Sequence, residues 1–275
     1  MLCETLRFPG FLEKAVTLSY DDGNIADRRL VEILNRHGLK CTFNLNSGWI
    51  FKTPRDENRI RPEELKSLYL DAGHEIAVHG TQHLSLTDVD SAVATNDILS
   101  DRKKWEEITG APVRGMAYAC GRYNDRVVRI LEACGIAYAR TTQATEKFEM
   151  PDDWLRLPAT CHHDNPRLME LVERFLNEPY VWKHHPRLFY LWGHSYEFDR
   201  KNNWRVIEQF AQEIGEREDV FYATNGELYA YVQAYRRLEY AVDGTTIFNP
   251  SALDVYLHLA GKDILVPAGK GARLS

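Results

Sequence analysis

The stretch AVTLSYDDG, residues 15–23, is an apolar run of strand length that closes on two carboxylates and a glycine. A second run, EIAV at residues 75–78, closes on HGTQH at residues 79–83. His79 and His83 are four residues apart, so on a turn of helix both rings face one way and could share a metal ion. One aspartate and two histidines leave coordination positions for water and substrate, as hydrolytic metal sites require. The two stretches therefore indicate a divalent-metal site with one spare carboxylate beside it.

Strand-length runs alternate with segments of helical period on both sides of these stretches, which is typical of a parallel α/β sheet or barrel. The predicted strands are 15–20, 40–45, 75–78, 113–118, 136–140, 155–158, 187–192 and 220–222. The predicted helices are 26–37, 62–73, 89–109, 125–134, 166–176, 204–214 and 226–237. Both candidate metal stretches follow the carboxyl end of a strand, the edge where barrel active sites assemble.

The end of the chain has a different pattern, because after Leu238 the period changes from helical to alternating. Asp243-Gly244 and Gly261-Lys262 supply turns between the alternating runs. We therefore divide the chain into a domain at 1–237 and a small β appendage at 238–275. The appendage could pack on the main domain, contact a neighbouring subunit or help to bind a polymer, and packing on the main domain is favoured.

Composition narrows the functional class. The net charge of the 275 residues is −6 with acidic and basic residues interspersed, so a nucleic-acid partner is not expected. No window approaches about 18 consecutive apolar residues, so no membrane partner is expected either. Five cysteines without a CxxC pair, and no recognisable secretory leader, predict free thiols in the cytoplasm. An extracellular location stays open if a leader was removed, and a homo-oligomer stays open too.

A third candidate is His194, which ends the apolar run LFYLWGH at residues 188–194. In a strand, Tyr190, Trp192 and His194 point to one side. A single histidine after a strand is more often structural. Three histidines and two aspartates ending separate strands are difficult to assign to packing alone.

These motifs resemble those of the polysaccharide deacetylase family, also known as carbohydrate esterase family 4 or the NodB-homology family. SYDDG at residues 19–23 looks like the family's TFDDG, and HGTQH matches its H-[ST]-x-x-H with Gly80 and Thr81 in the middle. Residues 191–194 resemble the late hydrophobic strand that ends in a catalytic histidine. The resemblance covers about residues 13 to 230, with the motifs in the family's order.

The resemblance implies a distorted (β/α) barrel of about seven strands that removes acetyl groups from N-acetylated amino sugars. The ligands of one divalent metal would be Asp22, His79 and His83. Zinc is the first choice for that metal, with cobalt, nickel or manganese as alternatives. Asp21 would be the general base that takes a proton from water at the metal, and His194 would protonate the departing amine.

The third motif of the family, R-x-P-Y, aligns with AYAC at residues 117–120, so its arginine and its Pro-Tyr pair are absent here. By resemblance, the backbone N–H of Cys120 would still join the metal in stabilising the oxyanion. Arg114 or Arg156 could replace the missing arginine beside Asp21. A surface or structural role is the alternative for both.

Residues near the fourth motif complete the candidate set. Asp153-Trp154 resembles the end of that motif, whose acid tunes the catalytic histidine and whose tryptophan lines the acetyl pocket. The candidate substrate-binding residues are Tyr118, Trp154, Trp192, His162 and Arg156. Core packing is an equally good interpretation for the two tryptophans. The polar runs at 161–164 and at His184-His185 are predicted to be solvated loops, with His162 as the exception that could contact substrate.

The sequence thus predicts a metal-dependent hydrolase that acts on an acetylated amino sugar, or on its oligomer or polymer. One alternative is a deacylase or amidohydrolase with a non-sugar N-acyl substrate. A second is a catalytically weakened barrel that binds carbohydrate, which the altered third motif suggests.

Overall fold

The structure of the protein is a computed structural model that describes residues 5–54, 56–178 and 186–274. His184 and His185 therefore lie outside the described residues. The strands are β1 Leu6–Arg7, β2 Lys14–Asp21, β3 Cys41–Leu45, β4 Glu75–Val78, β5 Gly115–Ala117, β6 Tyr138–Ala144, β7 Leu157–Ala159, β8 Cys161–His162, β9 Arg187–Gly193, β10 Val220–Tyr222, β11 Glu239–Tyr240, β12 Thr246–Phe248, β13 Val255–Leu259, β14 Lys262–Val266 and β15 Gly271–Arg273. The helices are α1 Asp27–Arg36, α2 Ser47–Ile50, α3 Ser91–Thr109, α4 Asp125–Ala133, α5 Leu168–Asn177, α6 Tyr196–Lys201, α7 Arg205–Ile214 and α8 Asn225–Arg236.

A parallel sheet in the order β7-β6-β5-β4-β3-β2-β9-β8 carries the main domain. Its central strand β2 pairs with β9 along one side, and with β10 and then β3 along the other. The two end strands, β7 and β8, are separated only by Thr160, whose N–H donates to the carbonyl of Tyr190 at 2.9 Å. Thr160 therefore links the two end strands along the chain, and the expected fold class is confirmed as a mostly parallel α/β sheet of the (β/α)-barrel type.

Helices cover this sheet because their apolar stripes match its buried side chains. In α1, Leu30, Ile33 and Leu34 fall on one face and are all buried. In α3, Trp105 is fully buried and its indole N–H donates to the carbonyl of Leu45 at 3.1 Å. These contacts fix α1 and α3 against the strands whose carboxyl ends carry the candidate site.

The structure differs from the sequence-based elements where the segments are short. The predicted helix 62–73 is a 3-10 turn at Pro62–Glu64 followed by a π-helical turn at Lys66–Leu70. The elements α2, β8 and α6 were not predicted, because two to six residues are too few to show a period. Strand β8 lies within the stretch predicted to be a solvated loop, and that prediction was wrong, since Cys161 and His163 are buried.

The C-terminal segment forms two small antiparallel sheets. One sheet joins β13 and β14 to β1, and the other joins β11, β12 and β15. A hydrophobic cluster links Ala234 in α8 and Leu238 to Ile247, Leu257 and Val266. Helix α8 contributes to this cluster, and β1 pairs with β13 in one of the two sheets. The domain boundary at residue 238 therefore stays a prediction. Within the described residues, no helix is long and apolar enough to cross a membrane.

The C-terminal packing gives a test of stability. Leu257 in β13 is fully buried and pairs with Leu6 in β1, so Leu257→Ala should lower the free energy of unfolding by about 2–5 kcal/mol. Leu265→Ala in β14 is the matched control, because this side chain is 40% exposed and should cost less than about 0.5 kcal/mol. Urea unfolding followed by circular dichroism measures both. Equal, small losses would show that the appendage lies outside the cooperative unit.

Candidate active site

Asp22, His79 and His83 converge at the carboxyl ends of β2 and β4. Oδ1 of Asp22 lies 3.7 Å from Nε2 of His79 and 3.7 Å from Nε2 of His83. Asp22 and His79 are buried, and the side chain of His83 is 22% exposed. The three residues thus present one carboxylate oxygen and two imidazole nitrogens to a common point.

The surrounding hydrogen bonds suit these atoms for a metal ion. Nδ1 of His79 lies 2.9 Å from the carbonyl oxygen of Ala117, so it carries the proton and leaves Nε2 as a free lone pair. Oδ1 of Asp22 is buried with no hydrogen-bond partner, which is costly for a carboxylate oxygen unless a cation is present. Ligand atoms around a tetrahedral ion at the usual bond lengths lie roughly 3.4 Å apart. The residues present fit a divalent ion.

The loop that carries the two histidines is fixed from α3. Asp101 accepts hydrogen bonds from the backbone N–H groups of His79 at 3.0 Å and of Ser47 at 2.8 Å. Asp97 accepts from the backbone N–H of Gln82 at 2.9 Å. Gly80 has a φ of 79° and a Cβ there would lie 2.4 Å from Oδ2 of Asp97, so only glycine fits this position.

Three site residues adopt a left-handed backbone conformation that is unfavourable for a residue with a side chain. The φ angles are 80° for Asp22, 54° for His83 and 58° for Cys120. This conformation costs roughly 1 kcal/mol or more per residue. Its clustering where the candidate ligands meet is typical of a functional site rather than of ordinary packing.

Asp21 lies beside this triad, in a separate network. Its Oδ1 accepts from the Asn44 amide at 2.9 Å, and its Oδ2 accepts from the Arg140 guanidinium. Nε2 of His79 and Nε2 of His194 both lie 3.9 Å from Oδ2. Burial alone would raise the pKa of Asp21, but the charges of Arg140, His79 and His194, with the Arg140 hydrogen bond, lower it to about 2. Asp21 is therefore an ionised proton acceptor at neutral pH.

Arg140 fills the role for which Arg114 or Arg156 was proposed, and that proposal was wrong. Arg140 is the registered neighbour of Ala117 across the β5–β6 pair. Registered side chains in parallel strands point to the same face about 5 Å apart. An arginine on β6 thus reaches the carboxylate that an arginine at position 117 would reach. Arg156 instead contacts Asp153 and Asp125.

His194 lies at the end of β9 and faces both Asp21 and Glu197. Nδ1 of His194 is 3.2 Å from Oε1 of Glu197. Burial alone would lower the pKa of His194, whereas Glu197, Asp21 and Asp22 raise it above its usual value. His194 is therefore poised to carry a proton close to the Asp21 carboxylate.

Asp153 does not tune His194, contrary to the expectation from the fourth motif. It caps the 3-10 turn at Trp154–Arg156 by accepting from the backbone N–H groups of Leu155 and Arg156, and it pairs with the Arg156 side chain. The residue that contacts His194 is Glu197, three positions further along the chain. The irregular segment before β7 places Asp153 on the outside of the sheet.

The candidate substrate-binding residues separate into two groups. Tyr118 and Trp154 are 2% and 5% exposed, the Tyr118 hydroxyl donates to the carbonyl of Leu155 at 2.7 Å, and Trp154 packs edge-on against Tyr229. These two residues are core, and a direct substrate contact is not available to them. Arg156 lies with them outside the triad. Trp192 and His162 lie at the site, and the ring of Trp192 is covered by the Arg140 guanidinium at 4.2 Å.

Cys120 lies next to the triad on the 3-10 turn at Ala119–Gly121, which follows β5. Its Sγ atom is 4.0 Å from Nδ1 of His83. This placement brings its side chain close to one of the candidate ligands. The role of its N–H as an oxyanion donor stays a prediction.

An open cleft of about 570 Å³ borders the triad at Asp22. Its lining includes Trp49, Arg59, Tyr196 and Arg200. The ring of Trp49 stacks on the ring of His83, with 5.0 Å between the ring centroids. The Arg59 guanidinium lies 4.3 Å from the centroid of the Trp49 ring. The cleft is thus polar and charged, with aromatic rings held rigidly at its wall.

Sequence reasoning missed Asn44, Arg140 and Glu197. A polar residue in the buried apolar strand FNL at 43–45 was the available signal for Asn44. Arg140 gave none, because only the register of β6 against β5 places it beside Asp21. Glu197 follows His194 by three residues in a short helix that showed no periodicity.

Comparison with known proteins agrees with this geometry. Residues 10–139 match the sequence profile of the family described as Polysaccharide deacetylase. Chitin disaccharide deacetylase of Vibrio alginolyticus is 37% identical over 70 residues, which make up 25% of this chain and 16% of that protein. The chain spans less than half the length of the curated relatives it matches.

Solved structures share the fold at low identity. The family 4 carbohydrate esterase from Streptomyces lividans is 14% identical, with a TM-score of 0.53 over 77% of this chain and 93% of that one. A family 4 pseudoenzyme from Bacillus anthracis is 20% identical, with a TM-score of 0.51 over 79% of this chain and 66% of that one. Since an esterase and a pseudoenzyme share this fold, the site itself has to carry any argument for catalysis.

The Arg140–Asp21 pair predicts a large effect on stability. Arg140→Met leaves a buried carboxylate without its cation and should cost about 3–5 kcal/mol in the free energy of unfolding. The control is Arg156→Met, whose side chain is 34% exposed and whose ion pairs should contribute at most about 1 kcal/mol.

Urea unfolding at matched metal content measures both variants. Adding Asp21→Asn to Arg140→Met should recover part of the loss, because the unpaired charge is removed. Equal losses for Arg140→Met and Arg156→Met would contradict the pairing.

Proposed function

Because the chain belongs to the polysaccharide deacetylase family, we propose that it is a metal-dependent hydrolase that removes an N-acetyl group from an amino sugar. One observation carries the proposal. Asp21 is bound by Arg140 and Asn44, whereas its neighbour Asp22 faces two imidazoles. The two adjacent carboxylates are thus in environments suited to two roles, one for a proton and one for a metal.

The metal site in this proposal is formed by Asp22, His79 and His83. A divalent ion there, with zinc as the first choice, would supply Lewis acidity toward water and the acetyl carbonyl. The protein keeps these ligands ready, because Ala117 holds His79 in the required tautomer. Asp22 also borders the cleft, so a metal ion held by these residues would lie close to it.

The proton steps fall to Asp21 and His194. As the water oxygen forms its bond to the acetyl carbon, Asp21 accepts the proton that water releases. As the carbon–nitrogen bond breaks, Nε2 of His194 donates its proton to the departing nitrogen. The products are acetate and the free amine. Nε2 of His194 lies 3.9 Å from Oδ2 of Asp21, so the proton acceptor and the proton donor can serve the same reacting centre.

The cleft supports a saccharide substrate. Its volume of about 570 Å³ lies within the range for small-molecule sites. Hydroxyl groups of a sugar can pair with its charged side chains, and Trp49 and Tyr196 offer apolar edges. A non-sugar N-acyl compound is the alternative substrate.

A barrel without catalytic power was suggested by the alanine at position 117. The position of Arg140 argues against this alternative, because Arg140 gives Asp21 the cationic partner that the altered motif lacks. Together with the convergence of Asp22, His79 and His83, this supports an active enzyme.

The metal requirement gives the first test. Protein loaded with zinc should hold about one equivalent per chain by mass spectrometry of metals, and Asp22→Ala and His83→Ala should lose it. His258→Ala is the control, because His258 pairs with Asp263 in the appendage and the metal should stay bound. Protein that cannot be loaded with any divalent ion would refute the mechanism.

The substrate class gives the second test. Acetate release should be observed from N-acetylated mono-, di- or oligosaccharides, and it should exceed release from N-acetyl amino acids and simple amides by at least tenfold, about 1.4 kcal/mol in transition-state binding. A coupled acetate assay measures the panel at equal metal content. Hydrolysis confined to the non-sugar amides would favour the alternative substrate.

A further inference from the structure

Glu197 in α6 is a carboxylate surrounded by three imidazoles. Its Oε1 lies 3.2 Å from Nδ1 of His194. Its Oε2 lies 2.9 Å from Nε2 of His163 and 3.2 Å from Nε2 of His162. We propose that Glu197 is the positioning residue that orients and charges His194, and that His162 and His163 hold it for this task. The inference rests on the proposed function of the site.

The local sequence explains why Glu197 faces His194. Residues 194 and 197 are three apart across the start of α6, so their side chains lie on the same side of the turn. With Nδ1 directed to Glu197, Nε2 of His194 faces Asp21. A carboxylate at Nδ1 favours the tautomer and the charge that a proton donor at Nε2 needs.

The second oxygen of Glu197 lies at ion-pair distance from one ring nitrogen each of His162 and His163. Nδ1 of His162 accepts from the backbone N–H of Asp164 at 3.1 Å, so the proton of a neutral His162 ring is on Nε2, which faces Glu197. His163 is buried and stacks on Phe198 at 4.2 Å. Nε2 of His162 is therefore the donor on the side of Oε2, and the closer Nε2 of His163 lies at ion-pair distance from the same oxygen.

Gly193 makes room for this arrangement at the end of β9. A Cβ at this position would lie 2.0 Å from Nδ1 of His163. Any other residue would displace the His163 ring, and with it the support of Glu197. Nδ1 of His163 also lies 3.3 Å from the Tyr20 hydroxyl, which ties the cluster to the strand that carries Asp21.

A second metal ion is the competing interpretation, because the polar atoms of His162, His163, Asp164 and Glu197 lie within 4.8 Å of one another. Two observations favour the positioning role. Lys201 already pairs with Asp164. The Asp164 N–H occupies the lone pair on Nδ1 of His162, so Nε2 is a donor rather than a ligand.

Charge supports the same role. Burial alone would raise the pKa of Glu197, but the three imidazoles lower it well below its usual value, so the carboxylate stays ionised. The other ionisable groups that face His194 are Asp21 and Asp22 on β2 and in the turn after it, His83 in the loop after β4, His162 on β8 and Tyr196 in α6, with Arg140 on β6 reached through Asp21. Glu197, in contrast, lies next to Nδ1 of His194.

The test replaces the charge with an amide of the same shape, Glu197→Gln. On an N-acetylated sugar, kcat should fall at least about tenfold, while KM stays within about twofold and the metal content is unchanged. The fall of the rate at high pH should move to lower pH, because His194 loses the charge that favours its protonated form. Glu197→Asp, which keeps the charge, should recover part of kcat.

A substrate whose leaving group needs no proton distinguishes a role of Glu197 in positioning His194 from a general loss of structure. An aryl acetate releases a phenolate that needs no proton, so its hydrolysis by Glu197→Gln should stay within about twofold of the unsubstituted protein. Glu170→Gln, an exposed residue on α5 paired with Arg167, should change neither activity. Equal losses on the amide and the aryl ester, or an unchanged pH profile, would overturn the inference.

A readout without substrate keeps this test distinct from that of the proposed function. Nitrogen NMR of the zinc-loaded protein should show the His194 ring titrating at lower pH in Glu197→Gln than in the unsubstituted protein. If that shift appears while no N-acetyl sugar is hydrolysed, the proposed function fails and the positioning role stands. Loss of a second equivalent of zinc in Glu197→Gln would overturn the positioning role in favour of a metal site.

Discussion

The buried ion pair between Asp21 and Arg140 is the constraint on which the rest of the site depends. A carboxylate at the centre of an apolar sheet is unfavourable without a counter-charge, and Asp21 is only 3% exposed. With Arg140 on Oδ2 and Asn44 on Oδ1, Asp21 stays ionised and fixed. Its neighbour Asp22 is then free to face His79 and His83.

That division depends on the backbone as much as on charge. Asp22 takes a φ of 80° directly after β2, and from this turn its carboxylate faces both His79 and His83. The turn is held because the Asp22 N–H donates to the carbonyl of Asn44 at 3.0 Å and the Asp22 carbonyl accepts from Arg59 at 2.8 Å. Asn44 and Arg59 thus offset the local strain, and two consecutive carboxylates acquire different partners.

The same principle recurs on the other side of the site. Nδ1 of His194 lies next to one oxygen of Glu197, and His162 and His163 lie next to the other oxygen. In both networks, an ionisable group of the proposed reaction lies beside a partner of opposite charge, Arg140 for Asp21 and Glu197 for His194. Such supporting shells fix the geometry of a site without touching its substrate.

The sequence by itself determined the parallel α/β class, nearly all long strands and helices, and the candidate residues Asp21, Asp22, His79, His83 and His194. These features depend on local periodicity and on motifs a few residues long, which a linear chain displays directly. Only the tertiary structure decided which residues support them. Arg140 reaches Asp21 through the register of β6 against β5, Asp153 pairs with Arg156 instead, and Glu197 joins His194 of its own segment to His162 and His163 of another. The pairing of distant segments sets the contacts of Arg140 with Asp21 and of His162 and His163 with Glu197, and no spacing along the chain encodes that pairing.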